Sequence, residues 1–155
     1  MTENFDALVS KNIHKLRNIC RTYADFEEVE DLLQEVLEQL WRSHQSFRGD
    51  SSIETWLYRI AINTAVSYQR KKISLRKQKT AASLTNEKTE SHGLNQEQIV
   101  VTFSKSLSRI DRAIFVLYVN GLNTREMEAV LGMSGNAIKV RISRMKTQFR
   151  QQFVD

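Results

Sequence analysis

Apolar positions recur at helical spacing along most of the chain. Between Phe5 and Tyr23, the residues Leu8, Ile13, Leu16, Ile19 and Cys20 fall on one side of a helix, which makes Cys20 a small packed hydrophobe. Asp25-x-x-Glu28 has the form of a capping box, and after it Val29, Leu33, Val36 and Leu40 form a stripe flanked by Leu32 and Leu37. The spacing predicts a helix over 26–43, a rod of about 27 Å. On a 100° wheel Glu27, Asp31, Gln34, Glu35 and Glu38 all lie opposite that stripe. Interleaved lysines, which exposed helices use for i,i+4 pairing, are absent from that face. His44 to Asp50 (HQSFRGD) reads as a polar loop. Ser51-x-x-Glu54 then starts a third helix to about Lys72, with Ile53, Trp56, Leu57, Ile60, Ala61 and Thr64 as its packing side.

Residues 74–95 (SLRKQKTAASLTNEKTESHGLN) lose this periodicity and read as a flexible linker. A second module starts near Gln96 with the apolar positions Ile99, Val100, Phe103 and Leu107, followed by a helix from Ser108 to Asn120. The run Ala113–Val119 (AIFVLYV) has the composition of a buried strand, but no second strand candidate exists to pair with it, so it is assigned to the helix. Asn123-x-x-Glu126 caps a short helix ending at Leu131, Gly132-Met133-Ser134 makes a turn, and Gly135 to about Phe149 makes the last helix. Two helices joined by a three-residue turn containing Gly form a helix-turn-helix. The expected fold is all-α: two small helical domains, the second a helix-turn-helix domain.

On the last helix Ile138, Ile142, Met145 and Phe149 lie within a narrow arc and face the core. Asn136, Val140, Ser143, Arg144 and Thr147 point the other way, with Lys139 and Lys146 on one flank and Arg141 on the other. An outward valine among Asn, Ser and Arg is unfavourable as plain solvent surface. It suits a major groove, where Asn reads adenine edges, a methyl packs on thymine and flanking cations meet phosphates.

The charge distribution supports a polyanion partner. Residues 1–54 hold six Lys/Arg and eleven Asp/Glu, residues 55–86 seven basic and no acidic residues, and residues 98–155 nine basic and four acidic. Two basic blocks on separate elements point to nucleic acid, while the acidic block calls for a different partner. The longest apolar run has seven residues, far short of the roughly 20 that span a bilayer, so no membrane insertion is expected. The N-terminus lacks a basic n-region and an apolar h-region, and one cysteine cannot form an internal disulfide, so a cytoplasmic location is expected. His14, His44 and His92 stand alone, which argues against a metal site. No cofactor and no catalytic residue are expected.

Three stretches together resemble the extracytoplasmic-function (ECF) sigma factors of bacterial RNA polymerase. They are Glu30-Asp31-Leu32-Leu33-Gln34-Glu35-Val36 with Leu40-Trp41; Phe47-Arg48-Gly49 followed by Thr55-Trp56-Leu57-Tyr58-Arg59-Ile60-Ala61 and Asn63; and Asp111-Arg112 through Gly121-Leu122, then Val130-Leu131-Gly132-Met133-Ser134 and Val140-Arg141-Ile142-x-Arg144. Ser108, Glu128, Gly135 and Ala137 depart from the family pattern. The resemblance implies an alternative sigma factor that directs promoter-specific initiation, with residues 1–73 as sigma region 2, 74–95 as linker and 96–155 as sigma region 4. It implies core RNA polymerase, promoter DNA and an anti-sigma factor as partners. Asp31, Gln34, Glu35 and Glu38 would then hold the polymerase clamp. Phe47, Arg48, Asp50, Arg59 and Asn63 would open and read the −10 element. Asn136, Lys139, Val140, Arg141, Ser143, Arg144 and Lys146 would serve the −35 element.

The predicted linker has 22 residues and as a coil spans about 26 Å, whereas promoter elements two turns apart are separated by about 70 Å. The modules are therefore expected to collapse together when free. Two other readings compete with this one. A two-module helix-turn-helix regulator that never touches polymerase leaves the acidic face and the Phe47/Arg48 loop without a role. A metalloenzyme would need a histidine at Glu-x-x-His spacing, which the acidic helix does not offer.

Overall fold

The computed structural model describes residues 2–79 and 95–154. Seven helices are found among them: α1 (Thr2–Tyr23), α2 (Val29–Ser43), α3 (Ile53–Lys79), α4 (Gln96–Lys105), α5 (Arg109–Val119), α6 (Thr124–Leu131) and α7 (Gly135–Phe153). Short 3-10 turns at Phe26–Glu28 and His44–Ser46 flank α2, and no strand occurs among the described residues. The all-α expectation holds, and Ala113–Val119 lies within α5.

Helices α1, α2 and α3 pack into one module around Leu16, Ile19, Cys20, Leu32, Val36, Leu40, Leu57, Ala61 and Ala65, all fully buried. The stripes predicted for α1 and α2 are the ones that face inward. On α3 the buried side is Leu57, Tyr58, Ala61, Ile62 and Ala65, about one residue around the helix from the predicted side, and Ile53 is 40% exposed. The cause is that apolar residues occupy two adjoining sides of α3, and the Leu57/Tyr58 side is the one that is buried.

In the second module α5 packs on α4 and α7, and α6 on α7, around Phe103, Ile114, Leu117, Met127 and Ile138. Phe103 meets the rings of Phe115, Phe149 and Phe153 edge-on at centroid distances of 5.2, 5.3 and 6.2 Å. That cluster explains why α7 continues to Phe153, beyond the predicted end near Phe149. The predicted capping box of α6 is present in full, with Asn123 accepting from the Glu126 amide at 2.8 Å and Glu126 accepting from the Asn123 amide at 3.0 Å. Gly132 ends α6 at φ 68°, a left-handed conformation that glycine adopts without a Cβ penalty.

Four sequence expectations need correction. Asp25 forms no side-chain cap; its carboxylate is held instead by Arg76 at 2.8 Å, Lys72 at 3.4 Å and Lys105 at 3.7 Å. The cap of α3 is Ser52, not Ser51: its Oγ accepts from the Thr55 amide at 3.1 Å. Helix α3 does not stop near Lys72 but continues to Lys79, so the first residues of the predicted linker are helical. Its added turns are fastened by Lys72 and Arg76 to the Phe26–Glu28 turn, where Lys72 also pairs with Glu28 and Tyr68 donates to Glu28 at 2.7 Å. Finally, α4 is a full helix started by an Asn95/Gln98 capping box, where the sequence offers only scattered apolar positions. Residues 80–94, most of the predicted linker, lie outside the described residues.

The two modules lie against each other, as the linker arithmetic predicts. Helix α1 packs on α4 and α5, and α3 packs on α6. Buried Asn120 donates to the Lys15 carbonyl at 3.1 Å and accepts from the Asn18 amide at 3.0 Å. Arg112 donates to the Ser104, Lys105 and Leu107 carbonyls at 2.9–3.4 Å, capping α4, while its guanidinium stacks 5.6 Å from the Tyr23 ring centroid of α1.

Candidate nucleic-acid interface

The acidic face of α2 follows from which side of that helix is apolar. With Val29, Leu32, Leu33, Val36 and Leu40 buried, Asp31, Gln34, Glu35 and Glu38 are all exposed. Among the described residues none of the four makes a side-chain hydrogen bond or ion pair. Burial, helped by the nearby Asp31, Glu35 and Asp25 carboxylates, pushes the Tyr68 hydroxyl pKa up. A polar groove of about 410 Å³ between α2 and α3, lined by Glu35, Asn63, Ser67 and Tyr68, links the acidic face to α3.

The loop between α2 and α3 turns on Gly49 at φ 78° and carries Arg48 and Asp50 into solvent. Phe47 is half-buried, its ring 5.5 Å from that of Trp56, which itself packs against the core. Trp56 thus serves as the platform on which Phe47 rests. Of the two α3 residues predicted to join this loop, Asn63 is exposed, while Arg59 reaches across the module boundary and donates to the Ala129 carbonyl of α6 at 2.6 Å. The loop residues and Arg59 are therefore not presented to one partner in this arrangement.

On α7 the wheel is confirmed in its main division. Ile138 and Met145 are buried, Ile142 and Phe149 are half-buried, and Asn136, Val140, Ser143 and Arg144 are exposed, Val140 at 49%. Ser134 caps this helix, accepting from the Ala137 amide at 3.3 Å, which settles where its first turn begins. The border cations differ from one another. Lys139 is exposed, but Arg141 is half-buried and donates to Asp111 of α5 at 2.9 Å, and the Lys146 ammonium lies 5.4 Å from the Tyr118 ring centroid. Arg141 thus fastens α7 to α5, and its charge is already partnered. An apolar groove of about 330 Å³, lined by Phe103, Phe115, Ile142, Met145 and Phe149, runs on the side of α7 away from Asn136 and Val140.

Cys20 is fully buried, and burial, with Glu30 adding to it, pushes its thiol pKa up to about 12, so the thiol stays protonated and inert. No group of three or more His, Cys, Asp or Glu side chains that could hold a metal occurs among the described residues. No described helix is long and apolar enough to cross a membrane. What the arrangement presents is an exposed acidic face on α2, an exposed loop, and a helix with Asn136, Val140, Ser143 and Arg144 turned outward. The residues that join the modules, Asn18, Asn120 and Arg59, were not legible as such, since long-range partners leave no periodic signal.

Residues 8–73 match the family model described as sigma-70 region 2, a span that closely follows the first module. The chain is 30% identical over 157 aligned positions to the ECF RNA polymerase sigma-E factor of Escherichia coli strain K12, covering 92% of this chain and 82% of that protein. A 64-residue stretch is 42% identical to the sigma-E factor of Haemophilus influenzae, covering 41% of this chain and 34% of that protein. Among solved structures, the sigma factor RpoE bound to the anti-sigma factor NepR from Bartonella quintana is similar at a TM-score of 0.76 and 22% identity, with 96% of each chain covered. CnrH in complex with the cytosolic domain of CnrY is similar at a TM-score of 0.73 and 21% identity, covering 98% of this chain and 88% of that one. Both likenesses extend over the two modules together.

Proposed function

The chain belongs to the ECF RNA polymerase sigma factors, and on that premise we propose how its surfaces divide the work of promoter-specific initiation. As an alternative sigma factor it acts with RNA polymerase. Residues 1–73 bind core enzyme and serve the −10 element, and residues 96–155 serve the −35 element. The observation that carries this division is the exposed, unpaired acidic face of α2 on the same chain as a helix-turn-helix whose outward face carries Asn, Val, Ser, Thr and cations and no acid. A DNA-only regulator has no use for such a face, which repels phosphates.

In this reading Asp31, Gln34, Glu35 and Glu38 accept charge-assisted hydrogen bonds from the polymerase clamp. Phe47 and Arg48 stack on unpaired bases, with Asp50, Arg59 and Asn63 beside them. Asn136, Val140, Ser143 and Arg144 face base edges, and Lys139, Lys146 and Arg141 flank them. The chain works in the cytoplasm, as a partner of polymerase must, without enzymatic activity of its own. The similar structure of RpoE, solved with the anti-sigma factor NepR, supports an anti-sigma factor as a further partner.

The test is co-purification with core polymerase. Asp31→Ala combined with Glu35→Ala should abolish it with the circular dichroism spectrum and melting temperature retained, because both side chains point away from the buried stripe. Full core binding by the folded double variant would refute the assignment.

A further inference from the structure

The N-terminal turn of α7 is shaped around a side chain from the preceding helix. A Cβ placed on Gly135 would overlap the carboxylate Oε1 of Glu128 and lie 3.2 Å from Thr124 Cγ2. Glu128 and Thr124 stand one turn apart on α6, so the glycine at the start of α7 provides the space into which the Glu128 carboxylate settles. Gly135 has an ordinary helical backbone, unlike Gly132, so backbone conformation does not require a glycine there. Among the described residues the Glu128 carboxylate has no hydrogen bond and no ion pair, and the side chain is exposed. Residues 135–154 include no acid, so this carboxylate brings a negatively charged acceptor to a reading face otherwise made of Asn, Val, Ser, Thr and cations.

The first turn of a recognition helix is the part that meets base edges, whereas the helix before it crosses the backbone. A carboxylate seated on that turn enters the groove with it. Such a group accepts from the cytosine N4 amine and is repelled by guanine and thymine, which present O6/N7 and O4 acceptors in its place. We infer that Glu128, held in place by the absence of a side chain at Gly135, is a specificity-determining residue that selects cytosine at one position of the −35 element. The inference rests on the assignment of α7 to −35 readout and adds a reader from outside that helix.

The test uses holoenzyme assembled from the full chain and core polymerase, with binding measured on a promoter carrying each of the four bases at every −35 position. The variants are Glu128→Ala, which removes the carboxylate, Gly135→Ala, which displaces it while keeping the charge, and Asn136→Ala as a reader within α7. Alanine suits a helix at both of the first two positions, and the displaced group is the far end of a flexible side chain, so both variants should melt as the parent does. Glu128→Ala and Gly135→Ala should each reduce the preference for cytosine over thymine at the same single position, by about tenfold. Asn136→Ala should relax a different position. If Glu128→Ala raises affinity equally for every base, or Gly135→Ala leaves the preference intact, the inference is overturned while the −35 assignment stands. If Asn136→Ala changes no base preference either, the assignment of α7 itself fails, and this inference with it.

Discussion

Substituting Asn120 by alanine tests whether contact between the modules limits function. The side chain is 8% exposed and makes two hydrogen bonds to α1, one to the Lys15 carbonyl and one from the Asn18 amide. A hydrogen bond contributes about 1 kcal/mol net, and a partner left unpaired at a buried interface costs about 1–3 kcal/mol. Because the Lys15 carbonyl lies within α1, where the amide four residues on also donates to it, it is not left unpaired, and the two lost bonds give about 2 kcal/mol for Asn120→Ala, or roughly a 30-fold shift toward separated modules. Asn18→Ala removes one of the two bonds and should shift the balance roughly fivefold. While the modules are joined, Arg59 is held on the Ala129 carbonyl, away from the loop it is proposed to serve. Any partner that needs the modules apart therefore binds with an affinity reduced by the fraction already open. Energy transfer between dyes on α2 and α7 should report the opening, and the apparent Kd for core polymerase should fall by the same factor. If energy transfer drops in Asn120→Ala while core affinity stays unchanged, joined modules do not compete with polymerase, and the reasoning is refuted.

Replacing Phe47 and Arg48 by alanine should block open-complex formation on duplex promoters and be partly rescued on pre-melted templates; equal loss on both would remove the loop from melting, since stacking on a base is worth about 1–3 kcal/mol only once that base is unpaired. Lys139→Ala should weaken promoter binding about equally on all sequences and lower the salt slope by about 0.9, whereas Arg141→Ala should lower the melting temperature because it frees α7 from Asp111; an unchanged melting temperature for Arg141→Ala would mean that the ion pair does not hold the helix. The Asp25 carboxyl is pushed up by burial, but Lys72, Arg76 and Lys105 outweigh that and hold its pKa below the ordinary carboxylate value. Its contribution to stability is therefore complete above the ordinary carboxylate pKa and lost as pH falls through the depressed folded value, so Asp25→Asn should flatten the acid limb of a stability-against-pH curve and leave its neutral part parallel to the parent's.

Periodic signals and capping signals proved legible to different degrees, for a physical reason. The stripes of α1 and α2 are built from aliphatic residues that recur at helical spacing, and Leu16, Ile19, Leu32, Val36 and Leu40 are buried as the period requires. Helix α3 carries apolar residues on two adjoining sides, Ile53, Trp56 and Ile60 beside Leu57, Tyr58 and Ile62, and a wheel that takes the first side misplaces Ile53 and misses Tyr58 and Ile62. Its last turns carry no apolar stripe because ion pairs from Lys72 and Arg76 to Asp25 attach them, and residues 47 and 51 positions apart leave no local mark. Asp25 has the composition of a cap, but the cations that surround it on the folded surface supply stronger partners than the backbone amides. Where no such competitor exists, as at Asn123 and Glu126, the local pattern and the fold agree.

For the candidate sites the same division sets what a helical wheel can say. A wheel assigns direction, and direction alone identified the exposed acids of α2 and the outward Asn136 and Val140 of α7. It does not reveal whether an outward side chain is already occupied. Arg141, Lys146 and Arg59 all lie at borders where one element meets another, and there each finds a partner within the protein: a carboxylate, an aromatic face and a backbone carbonyl. A border cation committed in this way can bind a phosphate only by giving up or sharing that partner, so its net gain on DNA is smaller than that of Lys139. Lys139 and Arg144 are accordingly the cations of α7 whose removal should be felt most by DNA and least by the fold.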